Sequence, residues 1–168
     1  MKIVAALIVL AGLSGCAGTG GFVKEATERR QPLAVTTLMP SATNYAGGVS
    51  VLMDFTNTSG QSIKYAEFGL VPFNAVGDIV TSTITRESLA VVKYTGPYEP
   101  GTSTDDFSVT FNGGAVGFKN VWYNPDIQCV EVRLVRITFM SGATKVFEGQ
   151  AARELVAPSI RKRCSEES

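Results

Sequence analysis

Three acidic side chains near the middle of the chain, Glu99, Asp105 and Asp106, come nearest to a catalytic set by type and spacing. Two carboxylates can divide the work of acid and nucleophile, or acid and base, when they face one another across a glycosidic bond. Asp105 and Asp106 are adjacent, however, and neighbouring residues of an extended strand point to opposite faces. They are read as the solvated start of a strand. Asn74, Gly77 and Asp78 in "FNAVGD" offer oxygen ligands, but calcium takes six to eight of them. Asn and Asp at a turn bond to their own backbone, so a structural turn is expected there. Trp122 and Tyr123 could form a stacking platform for a sugar. On a strand one of the two must face inward, which makes Trp122 the expected central packing residue and Tyr123 the more exposed ring. The chain contains no histidine. That removes Ser-His-Asp and Cys-His nucleophiles and the imidazole ligands of zinc, copper and non-haem iron sites. No catalytic residue, metal or cofactor is expected, and the chain is read as non-enzymatic.

There are three cysteines, Cys16, Cys129 and Cys164. None lies in a C-x-x-C pair, which argues against a redox motif. Cys129 and Cys164 can form a disulfide in an exported protein or stand as two free thiols. A bridge requires the C-terminal tail to return across the domain, bringing the two Cα atoms within about 7 Å.

The environment of Cys16 gives the most specific signal. Lys2 places a positive charge at the extreme N-terminus, an apolar run follows over residues 3–13, and Ser14 and Gly15 are small. The run is too short for a permanent span of about 20 residues, and its form is that of a secretory signal segment. Leu13-Ser14-Gly15-Cys16 resembles the lipobox of bacterial lipoproteins. That resemblance implies cleavage before Cys16 and acylation of its thiol. Ala17, in place of Asp, implies sorting to the outer membrane under enterobacterial rules. One acyl chain holds a protein only marginally, whereas two or three hold it stably. No later segment has the 18 apolar residues of a spanning helix. The expected location is therefore the cell envelope, anchored by acyl chains on Cys16.

The elements that would carry any site follow from patterning. Residues 16–32, rich in Gly, Thr and charge, are read as a flexible tether, with a short helical turn over 24–30 as an option. From residue 33 the texture becomes β-like. Val49, Val51, Met53 and Phe55 alternate with Ser50, Leu52, Asp54 and Thr56, the period of a half-buried strand. The next run, "SIKYAEFGLVPFN", is apolar in two phases: Ile63, Tyr65 and Val71 in one, Ala66, Phe68 and Leu70 in the other. Only one face of a strand can meet the opposing sheet. Phe68 and Leu70, with Tyr123, are therefore candidates for a partner surface, unless the chain itself covers them. Lys64 and Lys93 are expected to face solvent and blunt edge pairing.

"IVTSTIT" and "SLAVVKY" read as two strands, "TGPYEPGTST" as a loop, and "DFSVTFNG" and "GFKNVWYN" as strands. In "IQCVEVRLVRITFM", Val130, Val132 and Leu134 share one phase and Val135, Ile137 and Phe139 the other. A bulge near Leu134-Val135 would place both sets on one face. Ser141-Gly142 closes a hairpin with "ATKVFEG". A helical period survives only over 150–156.

Seven or eight short strands separated by turn signals describe an all-β, immunoglobulin-like sandwich of antiparallel strands. The division is 1–15 signal segment, 16–32 tether, 33–156 sandwich and 157–168 polar tail. The mature length of about 150 residues suits one domain with a core of its own.

"IKYAEFGLVPFNAVGDIV" resembles small immunoglobulin- or fibronectin-like domains of bacterial exported proteins, the FxLYD-type group among them. Lys64, Tyr65, Phe68, Phe73, Asn74, Gly77 and Asp78 carry the likeness, with "TGPYEPG", "NVWYN" and "ITFMSG" matching in order over residues 48–148. Phe73 stands where a Tyr is usual and Ser141 where an Asp is expected. The resemblance implies the sandwich and brings no catalytic residue.

Formal net charge is zero, which disfavours a nucleic-acid partner. The expected partners are the membrane, through Cys16, and another envelope protein. The expected role is a non-catalytic interaction or structural module. The alternative is an assembly or secretion accessory that binds an exported protein at a sheet edge.

Overall fold

The computed structural model describes residues 19–42, 47–104, 117–161 and 164. The described residues form two antiparallel sheets face to face. The first holds β1 (Leu33–Ala42), β2 (Gly48–Asn57) and β5 (Gly117–Tyr123) in the order β1-β2-β5. The second holds β3 (Ile63–Phe73), β4 (Ala90–Tyr98), β6 (Cys129–Phe139) and β7 (Thr144–Glu148) in the order β4-β3-β6-β7. The chain crosses between sheets after β2, β4 and β5. This is the immunoglobulin-like sandwich, with the fourth strand paired to the third rather than placed in the first sheet.

The alternation in β2 sets one wall of the core: Val49, Val51, Met53 and Phe55 are all buried. The opposing wall depends on two irregularities. Pairing of β3 with both neighbours shifts between Ile63 and Tyr65, so Ile63 faces the same way as Ala66, Phe68 and Leu70. In β6 the register slips by one residue at Arg133, since Gly69 faces Leu134 while Leu70 faces Val132. That bulge lets Val130 and Val132 share the interior with Val135, Ile137 and Phe139. Gly69 lies opposite it, and a Cβ on Gly69 would come within 2.8 Å of the Leu134 Cβ. Five rings fill the centre: Phe55 stacks against Phe68, Tyr94 and Tyr98 at 5.6, 5.2 and 5.3 Å, and Phe118 meets Tyr94 at 5.0 Å.

Several expectations are corrected. Phe68 and Leu70 do not form a partner surface; both are fully buried. The shift at Ile63/Tyr65 turns Ile63 onto the inward face of Ala66, Phe68 and Leu70, while Tyr65 stays on the outer face, which long side chains cover. Lys93 lies 3.9 Å over the Tyr65 ring, Glu67 pairs with Lys93 and Arg136, and the Arg133 guanidinium is 5.7 Å from the Phe73 ring centre.

The proposed tether is, over its described part, a helix. This is α1 (Thr19–Glu28), with Phe22 6% and Ala26 0% exposed. Phe22 and Ala26 are one turn apart, so both reach the sandwich from one helical face. Two glycines make this a weak helix by propensity, so its stability comes from packing. Thr58 then donates from its backbone N–H to the Pro32 carbonyl and from its hydroxyl to the Gln31 carbonyl, fixing the entry to β1.

The tail is also packed where it is described. Val35 N–H donates to Leu155 O, Ala157 N–H donates to Val35 O, and Val35 forms a parallel bridge with Val156. Between β7 and this bridge lies the short helix α2 (Gln150–Arg153). Beyond it α3 (Pro158–Arg161) buries Ile160.

Among the other runs, "IVTSTIT" is not a strand; it contributes one isolated bridge, Phe73 to Ile79. "TGPY" is not a loop but the end of β4. "DFSVTFNG" lies outside the described residues, as do Asp105 and Asp106.

Candidate functional site

Cys16 lies outside the described residues. Cys129 and Cys164 are joined as a disulfide with Cα atoms 5.7 Å apart, made possible because the Val35–Val156 bridge and the burial of Ile160 lead the tail back toward the start of β6. Beside the bridge is a cleft of about 490 Å³, lined by Leu38, Met39, Pro40, Asn74, Gln128 and Ile160 among others. A second, shallower hollow of about 620 Å³ lies between the end of α1 and β7, with Arg29, Arg30 and Lys145 at its rim and Phe147 and Leu155 beneath.

The candidate chemical residues take structural positions. The Asn74 side-chain oxygen accepts from the backbone N–H of Val76 and Asp78 at 3.1 and 2.9 Å, and Gly77 adopts φ +83°. All of Asn74's side-chain acceptor capacity is thus directed at its own turn. Trp122 is 1% exposed and donates from Nε1 to the Ser88 carbonyl at 3.0 Å. Tyr123 is half-buried, and its backbone is held by the segment between β3 and β4: Thr83 donates to the Tyr123 carbonyl from both N–H and hydroxyl, at 2.7 and 2.6 Å. Glu99 accepts from the Ser62 hydroxyl. Among the described residues no three His, Cys, Asp or Glu side chains gather as a metal site, and no helix is long and apolar enough to cross a membrane.

Two polar clusters were not anticipated. Asn57 is fully buried where β2 ends. Its Nδ2 donates to the carbonyls of Gln61 and Tyr98 at 3.0 and 2.8 Å, and its Oδ1 accepts from Ser59 N–H and hydroxyl at 3.0 and 2.7 Å. Nearby, Tyr94 donates its hydroxyl to the Met53 carbonyl. Burial pushes the Tyr94 phenol well above its usual range, and the Asp54 carboxylate and Tyr98 push in the same direction. The second cluster is Glu131, 9% exposed, which pairs with Arg133 at 2.7 Å and Arg153 at 3.3 Å and so ties β6 to α2.

No protein-family model, curated protein or solved structure matches this chain. The feature that stands out is the long connection from Asn74 to Leu89. Val76, Ile79, Ile84 and Leu89 are 67, 56, 64 and 50% exposed there, and Val91 follows at 58%. Exposed apolar side chains mark a contact surface where they join into one contiguous patch. The sequence signal is "IVTSTIT", whose β-rich composition reads as a strand.

Proposed function

We propose that this protein is a lipid-anchored component of a bacterial cell envelope, held at the outer membrane through acyl chains on Cys16, whose immunoglobulin-like sandwich is a non-catalytic interaction or structural module. The observation that carries the reading is Leu13-Ser14-Gly15-Cys16 at the end of a short apolar run. The absence of histidine from the sequence supports the non-catalytic part. The exposed apolar side chains between β3 and β4 favour a protein partner in the envelope, and the formal net charge of zero weighs against nucleic acid. The resemblance to FxLYD-type domains is part of this proposal.

The test is the mass and location of the mature protein. The membrane form should lack residues 1–15 and carry acyl chains, and Cys16→Ser should leave the chain unprocessed or free of the membrane. Unchanged mass and fractionation in that variant would overturn the anchor.

A second reading, an assembly or secretion accessory acting by strand addition, is favoured by β4. Among the described residues β4 is paired only with β3. Crosslinking in intact membranes separates the two: an accessory yields one dominant exported partner, and a general module several.

A further inference from the structure

We infer that the folded domain rests directly on the lipid surface, with the area around Gly20 and Gly21 as its contact. The packed chain begins only three residues after Cys16. This inference deepens the anchor proposed above and depends on it. Phe22 and Ala26 are sealed against the sandwich and Val23 packs beside them, so α1 cannot peel away without exposing apolar surface. The covalent path from Cys16 to Thr19 is three peptide units, at most about 11 Å when fully extended. Had residues 17–32 been free chain, the same anchor would have allowed a typical separation of about 22 Å. Packing of α1 thus changes what the anchor does: it fixes the height of the domain as well as its compartment.

The surface at that point suits a bilayer. Gly20 and Gly21 are exposed, and a Cβ built on Gly20 would meet nothing within 4 Å. At Gly20 and Gly21 the helix presents backbone without a side chain. Lys24, one turn further on the same face as Gly20, is exposed and offers an ammonium to phosphate. A domain of this length is about 40 Å across. A partner docking on it must then reach within that distance of the membrane, as an integral or lipid-anchored protein would.

Neutron reflectometry on a supported phospholipid bilayer carrying the purified acylated protein tests this. Protein density should begin within about 10 Å of the headgroups. Inserting twenty Gly/Ser residues between Gly18 and Thr19 leaves the core untouched and should open a hydrated gap of about 25 Å. Releasing α1 with Phe22→Asp and Ala26→Asp should open a gap of about 20 Å, with emission from Trp122 reporting that the sandwich remains folded. A wide gap beneath the unaltered protein, with acylation verified by mass, overturns the inference and leaves the anchor standing. A gap that stays closed after the insertion overturns the short link as its cause. Absence of acyl mass overturns the anchor and the inference together.

Discussion

Where β2 finishes, one buried amide, that of Asn57, bonds to the β2–β3 loop and to the end of β4, reaching a residue 41 positions away. At the opposite end of the sandwich, Asn74 uses the same side chain only on residues within four positions of itself. The first arrangement welds separate loops through a polar group that water cannot reach. The second closes a turn in a loop that is pinned further on, at Ser82 and Thr83, while Val76, Ile79 and Ile84 stay exposed. The Asn57 end is held by non-covalent bonds of long range. At the Asn74 end the asparagine itself bonds locally, and the long-range ties are the Cys129–Cys164 bridge and the bonds of Ser82 and Thr83 to Tyr123. Buried polar bonds are costly to break because the partners left behind are also buried. Local turn bonds at the surface are replaced by water.

The contrast can be broken at several points. Replacing both Cys129 and Cys164 with Ser should have the largest effect, lowering unfolding stability by about 3 kcal/mol for a bridge across a sequence separation of 35. Urea denaturation would measure it, and a loss near zero would mean that the Asn74 end holds without its covalent bond. Asn57→Ala should cost about 2 kcal/mol by orphaning two carbonyls, while Asn74→Ala should cost less than about 1 kcal/mol. Equal losses would erase the distinction between the two ends.

Tyr94, which lies beside Asn57's end of the core, provides a test by pH. Its folded pKa is raised, so the folded state holds the phenolic proton after the unfolded chain has released it near pH 10. Its contribution is fully present below pH 10 and is lost as pH rises through the folded pKa. Stability should therefore fall above pH 10, by about 1 kcal/mol per pH unit for this group, and Tyr94→Phe should flatten that slope. A profile unaffected by the substitution would contradict the assignment. The smallest effect is expected at the exposed loop: Val76→Ser with Ile84→Ser should shift stability by no more than about 0.5 kcal/mol, while reducing crosslinks to an envelope partner if this loop is the contact.

How far these features could be read in advance depended on whether their cause was local. The alternation of Val49, Val51, Met53 and Phe55 declared an inward face at once. The phase change in β6 betrayed its bulge. The corresponding shift in β3 is not legible, because residues of both phases are apolar there, and the sequence leaves open whether a partner or the chain itself covers Phe68 and Leu70. Gly96 and Pro97 suggested a loop, yet they lie in an edge strand. There they fall at the register irregularity between the pairs Ile63–Tyr98 and Tyr65–Thr95, where a strand tolerates Pro, and a Cβ on Gly96 would collide with the Ile63 carbonyl. Helix α1 was missed because Thr19, Gly20 and Gly21 are poor helix formers, and only tertiary contact at Phe22 and Ala26 makes the segment helical. Asn57 stood in an ordinary turn cluster, and nothing in its neighbours' types distinguishes a buried amide from a solvated one. For Cys129 and Cys164 the sequence left two options, and the return of the tail along β1 decides between them in the fold.

The bond between Val35 and the segment Leu155–Ala157 also imposes an order on synthesis. The first strand leaves the ribosome more than a hundred residues before the backbone that pairs with its outer edge. Until Leu155 and Ala157 arrive, Val35 keeps an amide and a carbonyl without their eventual partners, and the sandwich has one side unfinished. The outer side of β1 is thus completed only after the segment Leu155–Ala157 has been made.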